Sequence, residues 1–159
     1  MINPAELIDA LVDMLRDIPE LVSEMGGDEE RIFAYHDRYP TKVRLEQAKN
    51  LMLHPGMMVA YEGVEPGLFN ASEIWQHKLS LTIRAGEESD YESPAAYYRI
   101  LRLVVKGVPT VGDGVAMNYA TVHASFHPFG SGFRMERQTD AEGIDYFGAL
   151  LIFTEIGDD

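Results

Sequence analysis

The chain has no cysteine, which excludes disulfides, thiolate metal sites and cysteine nucleophiles together. Basic residues are scarce: 13 lysines and arginines stand against 26 acidic residues, for a formal charge of −13. A surface of that sign repels a phosphate backbone, so electrostatic binding of nucleic acid is not expected, and the acidity reads as a means of solubility. No window reaches the ~18 consecutive apolar residues that a membrane helix needs. The first residues lack the basic start and unbroken apolar core of a secretory signal, because Asp9, Asp13 and Asp17 interrupt them. The expectation is a protein made and kept in the cytoplasm, with no membrane partner.

Signatures of chemistry are also missing. There is no Gly-x-x-x-x-Gly-Lys, and Gly112-Asp113-Gly114 reads as a turn rather than a phosphate cradle. Gly130-Ser131-Gly132 is too short for the strained nucleophile turn, which needs glycine two positions to each side of its serine. His123 and His127 would share a face on a helix, but Thr-Val-His-Ala-Ser-Phe-His-Pro reads as a strand entering a turn. Four residues of strand span about 13 Å, too far for two ligands each ~2 Å from one metal. His36, His54 and His77 are isolated, and each is expected to be a structural histidine with its hydrogen bonds satisfied. With 26 carboxylates in the chain, a chosen pair carries no information. No catalytic, cofactor-binding or metal-binding residue is assigned.

What is present is enough apolar material for one domain. Of 159 residues 46% are hydrophobic, and a chain of this length buries roughly 70% of its extended surface. One domain over residues 1–159 is expected. Tyr146 to Ile156 is an apolar run rich in aromatic and branched residues, the pattern of a strand buried on both faces. It places the last element inside a sheet.

Asn3, Pro4 and Glu6 supply a cap, a first-turn proline and a capping box. Ile8, Leu11, Val12, Leu15 and Ile18 follow at helical spacing. Pro19 starts a short second turn through Leu21 and Val22, ended by Gly26-Gly27. Arg31 to His36 reads as a first strand, and residues 43–53 are compatible with a short helix. Met57 to Tyr61 reads as a second strand, ended by Gly63 and a Pro66-Gly67 turn. From Trp75 to Ala85 strict alternation gives one buried face (Trp75, His77, Leu79, Leu81, Ile83, Ala85) and one wet face (Gln76, Lys78, Ser80, Thr82, Arg84). Ser93-Pro94 opens another helix with Tyr97, Ile100, Leu101 and Val104 on its apolar side, stopped by Gly107 and Pro109. Val115 to Ile156 reads as strands joined by glycine-rich turns. Strands in groups rather than in alternation with helices predict an α+β fold: a mostly antiparallel or mixed sheet packed against two main helices.

Apolar residues in Gly/Pro-rich segments are the candidate interface. Leu68 and Phe69 follow the Pro66-Gly67 pair, and Phe126, Phe129 and Phe133 bracket His127-Pro-Phe-Gly-Ser-Gly. Such aromatics either anchor a partner or fold back onto their own core.

Three stretches carry a resemblance: Ile2 to Val22, Arg31 to Pro40, and Asp140 to Asp158. In these stretches and in the order of elements between them, the chain resembles the tail terminator (tail-completion) proteins of long-tailed bacteriophages. The likeness covers nearly the whole chain, and none of the three stretches is a catalytic signature. It implies a non-enzymatic virion protein at the tail–neck junction, assembled in the host cytoplasm. Such a protein forms a homohexameric ring on the tail tube protein, ends tube growth and meets the head-completion (neck) protein. Genomic DNA would pass through the lumen without specific binding. One alternative is a head-to-tail connector or other neck protein. The alternative from another class is a small cytoplasmic α+β enzyme or ligand-binding domain, which would show a deep pocket with convergent polar groups.

Overall fold

Pro4 opens the first helix where its missing N–H has no helical partner to lose, and Asn3 caps it by accepting from the Ala5 N–H at 2.9 Å. The structure is a computed structural model that describes residues 2–35, 55–69, 72–84, 95–111, 116–119, 122–126, 135–139 and 145–156. Helix α1 (Pro4–Arg16) buries Leu7, Ala10 and Met14 in addition to the expected Ile8, Leu11, Val12 and Leu15. That wider stripe follows from its position, since α1 touches the sheet on one side and two other helices on another. Helix α2 (Pro19–Glu24) ends at Gly26 and Gly27, whose φ of 75° and 78° fit a left-handed helix cap.

After a 3₁₀ turn at Glu29–Arg31 comes strand β1 (Ile32–Tyr35), shorter than the expected Arg31–His36. Arg31 belongs to the turn, while His36 and the ambiguous 43–53 lie outside the described residues. The Arg16 Nε donates to the carbonyls of Ile32 (2.9 Å) and Glu29 (3.1 Å), fixing the end of α1 onto the start of β1.

The other elements are β2 (Gly56–Phe69), β3 (Ser72–Arg84), α3 (Ala95–Val111), β4 (Ala116–Tyr119), β5 (Val122–Phe126), β6 (Met135–Thr139) and β7 (Asp145–Ile156). The seven strands form one mixed sheet in the order β1-β2-β3-β7-β5-β4, with β6 also paired to β7. Among the described strands only β1 and β2 run parallel. The fold is α+β as expected, and the C-terminal strand is interior. Phe147–Ile156 pairs with Ile74–Ile83 of β3 on one side, while β5 and β6 pair with β7 on the other. Phe147, Ala149, Leu151 and Phe153 of β7 join Leu79, Leu81 and Ile83 of β3, Met57 and Val59 of β2, and the buried helix faces in one core. Tyr97 of α3 stacks at 3.9 Å between ring centroids on Phe147.

Three expectations are corrected. Strand β2 does not stop at Gly63 and Pro66-Gly67 but runs through both to Phe69. The wet face of β3 is covered at its far end, where Thr82 and Arg84 are buried. Helix α3 does not stop at Gly107 and Pro109; it reaches Val111. Gly107 acts there as a contact point, because a Cβ on it would lie 2.8 Å from Ile18 Cγ1. The missing side chain is what lets α3 sit against the link between α1 and α2.

Two outcomes follow from this packing. Gly107→Ala should cost about 1–3 kcal/mol, as overpacking does, because Ile18 must leave a buried site; an unchanged thermal melt would refute the close approach. Deleting residues 147–159 strips the strand that joins β3 to β5 and β6. No cooperative melt should survive, and a soluble, cooperatively melting truncation would refute the central role of β7.

Candidate functional site

Among the described residues, the distal end of the β2–β3 hairpin, and the polar cluster at its root, are where the sheet leaves the cover of the helices. The cause is local. Tyr61 pairs with Leu79 and Gly63 with Lys78, so Glu62 is an extra residue bulging out of the ladder. Gly63 sits at φ 141°, a backbone region that side chains rarely tolerate. One inserted residue reverses which side chains face which way. Up to the bulge, Met57, Val59 and Tyr61 face the core; beyond it Val64 lies opposite His77, Pro66 opposite Trp75 and Leu68 opposite Glu73. Opposed residues share a face, so the helix-facing side of the sheet continues outward as Val64, Pro66, Leu68 and Trp75.

Strand β1 accompanies β2 only through Ala60. Beyond it, the outer edge of β2 has no strand neighbour among the described residues, and proline on such an edge removes no ladder bond. This is why the Pro66-Gly67 pair is not a turn. Pro66, the bulge, and the exposed Glu62 and Glu65 all discourage another strand from adding there. Glu65 receives the Lys78 ammonium at 2.6 Å, and Glu62 accepts from the Ser80 hydroxyl at 2.7 Å.

The structure places the five candidate interface residues unevenly. Leu68 is 75% exposed, and with Tyr98 at 59% it makes the pair of large apolar side chains left open among the described residues. It lies in strand β2, not in a loop. A cleft of about 310 Å³ beside it is lined by Pro66, Gly67, Leu68, Glu73, Ile74 and Trp75. Its single ionisable group is Glu73, unlike a pocket with converging polar groups. Phe69 ends β2, and Phe126 ends β5 opposite Phe153 of β7. Phe129 and Phe133 lie outside the described residues, as does His127, while His123 is in strand β5.

The root of the hairpin holds the network that sequence reasoning saw only in part. His77, fully buried, meets the Tyr61 hydroxyl at 2.8 Å through Nδ1 and Glu155 Oε2 at 2.8 Å through Nε2. Its expected satisfied, structural state is what the structure shows. The carboxylate of Glu155 also accepts from the Ile2 N–H, at 2.8 and 3.0 Å. Because an ionised carboxylate only accepts, His77 donates to Glu155 from Nε2–H, and its Nδ1 shares the second hydrogen bond with the Tyr61 hydroxyl. Burial pushes Glu155 up, but the Ile2 N–H, the His77 hydrogen bond and charge, and the N-terminal amine outweigh it and hold the carboxyl below its usual range. Burial, and then the negative Glu155, raise the Tyr61 phenol. A lone histidine in the buried register of β3 demanded partners, and Glu155 was the one charge in the apolar closing run. Which residues would meet was not readable, because the chain positions are 78 apart.

Among the described residues no helix is long and apolar enough to cross a membrane. No family model matches this chain, and no curated protein matches it.

The network gives stability a defined pH dependence. Glu155, with its pKa lowered, contributes fully above the ordinary carboxylate value of 4.5 and loses that contribution as pH falls through its lower folded value. Tyr61, with its pKa raised, contributes fully below 10.0 and loses that as pH rises through its folded value. Glu155→Gln should cost about 1–3 kcal/mol at neutral pH, as a broken buried hydrogen-bond set does, and should flatten the fall in melting temperature between pH 5 and pH 3. Matching acid limbs in the two proteins would contradict this role for the carboxylate.

Proposed function

We infer that this chain is a structural subunit of a phage neck: a tail terminator that caps the tail tube as a ring and joins it to the head-completion protein. The observation that carries the reading is where the three resembling stretches fall. Ile2–Val22 covers α1 and the start of α2, Arg31–Pro40 covers β1, and Asp140–Asp158 covers β7. These elements form the frame of the fold rather than a peripheral patch. Two physical features support a non-enzymatic, assembling role. The open cleft at the hairpin tip lacks converging ionisable groups, and the exposed Leu68 continues the apolar face of the core.

The charge has a use in this reading. Each subunit carries −13, and a ring multiplies that around a hole through which DNA must move. Duplex DNA bears about one charge per 1.7 Å of axis. Acidic groups within a Debye length, ~8 Å at physiological salt, repel it and let it slide. We propose a lumen lined mainly by Asp and Glu.

The direct test is electron microscopy of purified protein mixed with growing tubes of a phage tail tube protein. Rings on tube ends and arrested growth are expected; tubes that lengthen as before would refute the reading, and binding to the head side alone would favour the connector alternative. The same protein should not retard duplex DNA even at low salt, where a basic contact is strongest. Retention of DNA under those conditions would defeat the acidic lumen.

A further inference from the structure

The two large apolar side chains left exposed among the described residues lie on surfaces of opposite charge. Leu68 stands opposite Glu73 at the tip of the β2–β3 hairpin. From Glu62 to Lys78 that hairpin has three glutamates and one lysine, and the lysine is held by Glu65. Tyr98 stands on α3, which from Ala95 to Val111 has Arg99, Arg102 and Lys106 and no acid. Three of the 13 cations of a strongly acidic chain thus fall on one helix. Their spacing of three and four residues sets them along one side, and all three are exposed; Arg99 is held by Glu24, its Nη2 donating to Oε2 at 3.0 Å, so the contact is built on Arg102 beside Tyr98. The inner side of α3 is occupied by Tyr97, Ile100 and Val104 in the core, so this cationic stripe around Tyr98 faces outward.

We propose that the hairpin tip of one copy docks on the α3 stripe of the next, with Leu68 against Tyr98 and Glu73 facing Arg102. The occupant is a second copy of this chain, because the same molecule presents both an acidic apolar tip and a basic aromatic seat. Charge opposition sets which surfaces meet, and the two side chains supply the apolar centre. Edge-to-edge strand pairing is blocked at Pro66 and the Glu62 bulge, which leaves a side-chain contact of this kind. The two patches are different surfaces, so the contact is heterologous: repeated, it closes into a ring or runs on as a fibre. The proposal rests on the ring reading above and supplies the contact between its subunits.

The test uses mixing. Leu68→Glu spoils the tip and leaves the seat; Arg102→Glu spoils the seat and leaves the tip. By analytical ultracentrifugation in low salt, wild type should form oligomers larger than a dimer, and raised salt should shift them towards monomer. Each variant alone should lose association by about tenfold or more, as a spoiled interface centre does, with the melt of the monomer unchanged. Mixed one to one, the two variants should form dimers and nothing larger. The absence of native cysteine allows a second measurement. Leu68→Cys with Tyr98→Cys in one chain should give a ladder of disulfide-linked oligomers on oxidation, whereas either single variant should stop at dimers. A wild type that stays monomeric at high concentration, or a double-cysteine chain that yields no ladder, overturns the contact. If wild-type rings form and both charge variants still build them, this contact fails while the ring reading stands. If tubes grow on uncapped although the mixing pattern appears, the tail-capping reading fails and the contact stands.

Discussion

The insertion of β7 between β3 on one side and β5 and β6 on the other is the constraint on which the rest of this structure depends. Every core position of β3 from His77 to Ile83 is paired with a residue of β7, and the helices rest on the apolar face these strands share. Without β7, the β1-β2-β3 group, the β4-β5 pair and β6 have no common neighbour. The pairing is also distant in sequence, so closing it carries the entropic cost of a long loop before any contact forms. The helices offset little of that cost alone, because α1 and α2 bury their apolar stripes only when the sheet exists to receive them. One strand therefore joins the strand groups into a single sheet.

Glu155 extends that constraint from the end of the chain to its beginning. By accepting from the Ile2 N–H and holding His77, it fastens the entry of α1 over the margin of the core. A tyrosine, histidine and carboxylate in series resembles a proton relay, but the chemistry here favours a latch. Both His77 nitrogens are engaged and the ring is buried. Glu155 accepts from His77 at Oε2 and from the Ile2 N–H at both oxygens. The phenol of Tyr61 is pushed up, away from the depressed value an activated nucleophile requires. Each group is stabilised in the form that completes the network.

The sequence was legible where one period ruled a whole element. Asn3-Pro4 and the apolar spacing set α1, strict alternation set β3, and the long apolar run set β7 inside the sheet. It failed where a local signal was overruled by packing. Gly107 and Pro109 look like a helix stop, yet Ile18 needs the space a glycine leaves, and α3 continues past both. Pro66-Gly67 looks like a turn, yet on an open strand edge a proline removes no ladder bond, and β2 continues too. Of the candidate interface, Leu68 was readable as an apolar residue in a Gly/Pro-rich segment, though not as part of a strand. Its exposure was not, because alternation cannot be carried through an unrecognised bulge.

That bulge links the fold to its proposed use. Had β2 kept its register past Tyr61, Leu68 would lie on the opposite side of the sheet from the helices, and the apolar strip would break at the edge of the core. One extra residue at Glu62, made tolerable by Gly63, instead carries the core-facing side outward through Val64 and Pro66 to Leu68. The latch of Tyr61, His77 and Glu155 sits at the point of passage, satisfying the polar groups where the helix cover ends. Inside that line, apolar surface is spent on folding; outside it, the same face of the same sheet remains open for association. The acidic residues around it limit what can bind there. In a chain with twice as many acids as bases, a partner surface must bring cations and an apolar centre together, as α3 does.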